Sequence, residues 1–112
     1  MVGEAIAGLD ELSEAASAAS ALLKSLANPD RLLLLCELAQ RESNVGQLEQ
    51  TLGIPQPTLS QQLAVLREAQ LVGTRREGKH IYYRIVSTQA LAVLNVLHQQ
   101  FCCAAGPARD AR

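Results

Sequence analysis

Along residues 8–26, Leu9, Leu12, Ala16, Ala19, Leu23 and Leu26 recur at alternating steps of three and four. That spacing predicts one long helix with a single apolar stripe and an acidic outer face near its start. Asn28 and Pro29 break the pattern. Asn28 suits a helix N-cap and Pro29 a first turn, so a second helix begins here and carries Leu32, Leu33, Leu35, Cys36, Leu38 and Ala39 before the polar stretch 40–43. Asn44 with Gln47 three residues on predicts a capping box opening a short helix, 45–52, which Gly53 stops. Pro57 starts another helix, with Leu59, Leu63 and Leu66 at helical spacing to about Gln70. Two short helices joined by a Gly-containing turn form a helix-turn-helix pattern.

After Leu71 the period changes. Residues 72–76 and 80–86 are β-rich runs separated by Glu77-Gly78-Lys79, which predicts a hairpin with a basic tip. Ser87 then caps a last helix, 88–103, whose apolar residues go most of the way round. A helix apolar on two sides needs two partners, so dimerisation through the first and last helices is the economical expectation. The prediction is a mainly α fold with a β-hairpin wing: five helices in one domain spanning 1–112, ordered over about 8–103, with a short flexible tail at 104–112.

Composition narrows this further. Of 112 residues, 48% are hydrophobic and only 3% aromatic, so the core must be aliphatic and the fold leans helical. No purely apolar run exceeds five residues, too few to span a bilayer, and no secretory signal is visible. Three Cys without a CxxC pair argue against a disulfide framework and for a reducing cytoplasm. The net charge of −1 conceals an acidic segment 1–20 at −4 and a basic segment 55–84 at +3.

The helix-turn-helix and the basic hairpin make double-stranded DNA the expected partner. Gln56, Thr58, Ser60, Gln61 and Gln62 stand on the first turns of the second helix of the motif, where base edges would be met, and Gln can pair bidentately with adenine. Arg67 is a candidate phosphate clamp or ion-pair partner. Arg75, Arg76 and Lys79, with His80, can reach phosphates or a minor groove from the hairpin tip. The plain alternative for each is a solvated charged or polar face. An enzyme is not expected: no base–orienter constellation, glycine-rich phosphate loop or metal triad supports a thiol peroxidase or sulfur transferase.

The run Pro57-Thr58-Leu59-Ser60-Gln61-Gln62-Leu63-Ala64-Val65-Leu66-Arg67, continuing through Thr74-Arg75-Arg76-Glu77-Gly78-Lys79-His80-Ile81-Tyr82-Tyr83 and back to Ala27-Asn28-Pro29-Asp30-Arg31-Leu32, resembles the ArsR/SmtB family of winged-helix repressors. The resemblance covers about residues 20–103. It implies a cytoplasmic homodimer that occupies an operator and leaves it when an inducer arrives. The family often carries Arg or His at the Gln61–Gln62 positions, so a different base preference is implied. The Cys-x-Cys of its heavy-metal members has no counterpart in 41–49, and the last helix lacks the Asp and His pairs of its zinc sensors.

Cys36, with Cys102 after Phe101, is instead similar to the BigR/SqrR/YgaV branch of reactive-sulfur sensors. This implies that persulfide or polysulfide joins the two thiols and weakens operator binding; Cys103 is an additional cysteine with a possible part in sensing. On its own, Cys36 among leucines reads as a small core hydrophobe. Sensing needs an accessible thiolate, and Arg31 or Lys24 is a candidate to lower its pKa. The alternative is a repressor responsive to arsenite or a soft metal ion, held by Cys36, His98, Cys102 and Cys103, with no other cofactor expected.

Overall fold

A computed structural model describes residues 8–103. The chain runs through α1 (Leu9–Leu26), α2 (Pro29–Gln40), β1 (Ser43–Asn44), α3 (Val45–Leu52), α4 (Gln56–Glu68), β2 (Val72–Glu77), β3 (His80–Ile85) and α5 (Thr88–His98). A π-helical turn, Gln99–Cys103, extends α5. The expected flexible tail, 104–112, lies outside the described residues. No described helix is long and apolar enough to cross a membrane.

Local chemistry sets the helix starts where the sequence predicts them. The Asn28 side chain accepts from the Arg31 amide at 3.0 Å, with Pro29 in the first turn of α2. Asn44 and Gln47 close a reciprocal capping box on α3, at 2.8 and 2.9 Å. Ser87 Oγ accepts from the Ala90 amide at 3.0 Å and opens α5.

The core is aliphatic. Leu34 and Leu35 of α2, Leu48 of α3, and Leu59, Leu63 and Leu66 of α4 are essentially fully buried. Each contributes about 1.5–3 kcal/mol of burial, enough to lock the helix-turn-helix onto α2. Leu71 and Val72 lead this core into the sheet, and Ala90 and Leu94 attach α5.

Several details depart from the sequence reading. The polar stretch after α2 includes a short strand: Ser43 and Asn44 pair antiparallel with Tyr83 and Tyr82, giving a three-stranded sheet ordered β1-β3-β2. Two polar residues carry no strand signal of their own, and the open edge of β3 recruits them. α4 closes at Glu68, short of Gln70. Gln70 adopts φ +64°, its amide donates to the Arg67 carbonyl and the Leu71 amide donates to the Leu66 carbonyl. This is a Schellman motif with glutamine in the left-handed position. The hairpin turn is two residues long, because Glu77 pairs with His80 inside the ladder. Gly78, at φ +63°, supplies the backbone that a tight hairpin turn requires.

The apolar stripe of α1 is also not core in this chain. Leu9, Leu12 and Leu23 are 79%, 51% and 57% exposed, and only Leu26 of that helix is buried. On α5 and its extension, Leu91, Val96 and Phe101 are likewise exposed.

Candidate DNA-reading face and cysteine pair

Leu59, Leu63 and Leu66 turn one side of α4 inward, so Ser60, Gln61 and Arg67 stand exposed on the outer side and Thr58 is half-buried. Gln56 is exposed in the first turn, but its Nε2 donates to Glu49 Oε1 at 2.9 Å and ties α4 back to α3. Gln62 lies about 60° from the buried stripe, on the side facing α2. There its Oε1 accepts from Arg31 Nη1 at 2.9 Å. The same guanidinium donates through Nε to the Ser25 carbonyl at 2.6 Å and through Nη2 to the Lys24 carbonyl at 3.2 Å. Arg31 therefore joins the end of α1, the start of α2 and α4. Sequence reasoning missed this role, since partners six, seven and thirty-one residues away leave no local pattern.

On the wing, Arg76, Lys79 and His80 are exposed, and Arg76 Nε makes only a long bond, 3.4 Å, to the Gly78 carbonyl. The His80 ring meets Tyr82 edge-on at 6.2 Å. Lys79 and His80 border a groove of about 410 Å³ whose other wall includes Asn44, Gly46 and Gln56. The wing tip and the beginnings of α3 and α4 thus share one concave face. Arg75 is placed differently. Its Nε donates to Glu42 at 2.9 Å and its Nη1 to Glu77 at 2.8 Å, with the guanidinium 4.8 Å from the Tyr82 ring centre. The carboxylates of Glu77 and Glu42 hold it more firmly protonated than an ordinary arginine. Of the ten expected DNA contacts, then, Gln56, Gln62 and Arg75 already have side-chain partners within the chain.

Cys36 is exposed, not packed in the core: Leu34, Leu35 and Leu38 take the buried side of α2 and leave the thiol outside. Cys102, on the π-helical turn, is also exposed and is not disulfide-bonded to Cys36. Apolar surroundings push the Cys36 thiol above its ordinary pKa, and the neighbouring Cys102 pushes it further the same way. The two sulfurs are therefore electrostatic neighbours although sixty-six residues separate them. The expected lowering of the Cys36 pKa by Arg31 or Lys24 does not occur. Arg31 lies about 140° around the helix from Cys36 and spends its donors on α1 and Gln62.

Among the described residues no three His, Cys, Asp or Glu side chains gather as a metal ion requires. The alternative set of Cys36, His98, Cys102 and Cys103 is thus not assembled from its described members. The side chain of Cys103 lies outside the described residues.

Comparison with known proteins agrees with this geometry. The family described as "Bacterial regulatory protein, arsR family" matches residues 28–74, from the cap of α2 into the wing. The Biofilm growth-associated repressor of Agrobacterium fabrum is 51% identical over 94 residues, covering 84% of this chain and 80% of the relative. The crystal structure of the transcriptional repressor BigR from Xylella fastidiosa superposes with a TM-score of 0.78 at 46% identity, covering 85% of this chain and 97% of that one. Reduced HlyU from Vibrio cholerae superposes with a TM-score of 0.80 at 40% identity, covering 84% and 99%. These relatives are regulators rather than enzymes, and the chain belongs with them to the ArsR family, as a winged-helix, DNA-binding transcriptional repressor.

Proposed function

We propose that the chain works in the cytoplasm as a homodimeric repressor that leaves its operator when reactive sulfur bridges Cys36 and Cys102. The observation that carries this reading is the approach of two exposed cysteines, one on α2 beneath the DNA-reading helices and one at the end of α5. The exposed apolar residues of α1 and of α5 with its extension support the dimer. Base contacts fall to Thr58, Ser60 and Gln61, and phosphate contacts to Arg67, Arg76, Lys79 and His80.

The chemistry balances with a polysulfide as oxidant. The Cys36 thiolate attacks the middle sulfur of a trisulfane, HS–S–SH, and expels hydrosulfide, leaving two added sulfurs on Cys36. The Cys102 thiolate then attacks the first added sulfur and expels a second hydrosulfide, which leaves a trisulfide bridge. Two thiols are oxidised and the polysulfide is reduced. A direct disulfide requires Cα atoms within about 7 Å, whereas an added sulfur spans a wider gap, so a pair held farther apart than that favours polysulfide over peroxide. Linking α2 to α5 shifts the DNA-reading layer against the dimer layer, with a coupling of about 1–3 kcal/mol.

The test uses a duplex selected by the wild-type protein from a randomised library. Polysulfide should release it from the wild type, not from Cys36→Ser or Cys102→Ser, and mass spectrometry should find added sulfur joining the two cysteines. Release that survives Cys36→Ser overturns the mechanism. Release by arsenite alone would replace it with metalloid sensing.

A further inference from the structure

Arg75 is the one wing cation whose guanidinium is engaged on three sides. β2 is an outer strand, β3 is the middle one, and Glu42 directly precedes β1 on the far side. To reach Glu42, the Arg75 side chain crosses the face of β3, where its cross-strand partner Tyr82 lies beneath the guanidinium. Adjacent strands are about 4.8 Å apart, so this one contact spans the full width of the sheet. Glu77, two residues on along the same face of β2, holds the other arm of the fork. We propose that Arg75 is a positioning residue that straps the wing to the α2–β1 junction, and that it does not contact DNA.

The physical argument is one of competition. A phosphate approaching Arg75 must compete with two carboxylates, which hold its Nε and Nη1, and with the tyrosine face, whereas Arg76 and Lys79 offer exposed cations without that competition. β1 pairs with only two residues of β3, so the ladder alone leaves the distal half of the hairpin without support from the body of the protein. The strap ties that half to Glu42, two residues beyond the helix that carries Cys36. It rests on the reading that the wing meets DNA and is independent of the cysteine chemistry.

The two roles predict opposite signs for one substitution. If Arg75 bound phosphate, Glu42→Gln would release it and remove a repelling charge, so affinity would rise. With the strap, Glu42→Gln lowers affinity for the library-selected duplex about three- to tenfold. Arg75→Ala and Arg75→Lys should lower it similarly, and Glu42→Gln combined with Arg75→Ala should be no worse than either alone. The slope of log affinity against log salt should stay that of the wild type in all of them, whereas loss of a phosphate contact reduces it by about one. Amide hydrogen exchange without DNA supplies the independent readout: Glu42→Gln should speed exchange across residues 75–82 and leave α4 unchanged. Higher affinity in Glu42→Gln, a reduced slope in Arg75→Ala, or unchanged exchange in the wing each overturns the strap. Absence of DNA binding in the wild type, with faster wing exchange in the variant, would count against the wing reading instead.

Discussion

Cys36 combines access with a suppressed nucleophile. Its thiol is exposed, but apolar neighbours and Cys102 hold its pKa up, so thiolate is scarce at neutral pH and increases about tenfold per pH unit below that pKa. Alkylation of Cys36 by iodoacetamide should therefore accelerate with pH through neutrality and beyond. Cys102→Ser removes one of the two raising influences, so the same rate profile should move to lower pH; an unmoved profile would contradict the pairing. Gln70 offers a second test at this scale. A side chain at φ +64° is strained by roughly 1–2 kcal/mol, which glycine relieves at an entropic cost of about half that. Gln70→Gly should thus stabilise the fold by about 0.5–1 kcal/mol in urea denaturation.

At the scale of the elements, α4 holds two adjacent glutamines with different surroundings. Gln61 faces outward, whereas Gln62 accepts from Arg31 and joins α4 to α1 and α2. Gln61→Ala should alter the base preference recovered in duplex selection. Gln62→Ala should leave that preference intact and cost about 0.5–1.5 kcal/mol of stability, the worth of one hydrogen bond. A changed preference in Gln62→Ala would make it a base reader after all. Periodicity could not separate the two, because it identifies the buried stripe and not the partner met beside it. The helix caps and the Leu59-Leu63-Leu66 spacing, by contrast, were legible, since both depend on residues within one or two turns. β1 was not: its two residues are strand only because Tyr82 and Tyr83 present an unpaired edge.

For the whole molecule, the exposed apolar residues are the informative surface. Leu9, Leu12 and Leu23 stand exposed on α1, which packs on the core through Leu22 and Leu26, and Leu91, Val96 and Phe101 stand exposed on the last helix and its extension. On the proposed dimer, Leu23→Glu should shift the protein to monomer in sedimentation and weaken duplex binding at least tenfold, because two half-sites would no longer be held together. A variant that remains dimeric at micromolar concentration would exclude α1 from the interface. The −1 net charge has little bearing on this binding face. Arg75 is neutralised by Glu42 and Glu77, so the working positive charge sits on Arg76, Lys79 and Arg67.

The sequence by itself determined the order and starts of the helices, the aliphatic core, the hairpin and the family, because caps, periodicity and turn residues act over a few positions. Only the tertiary structure decided which polar residues are available. Arg31 meets Gln62 thirty-one residues away, Arg75 meets Glu42 thirty-three away, and Cys102 approaches Cys36 across the whole fold. Those meetings depend on how the helices and sheet pack, and packing is set by the summed burial of many side chains rather than by any local pattern.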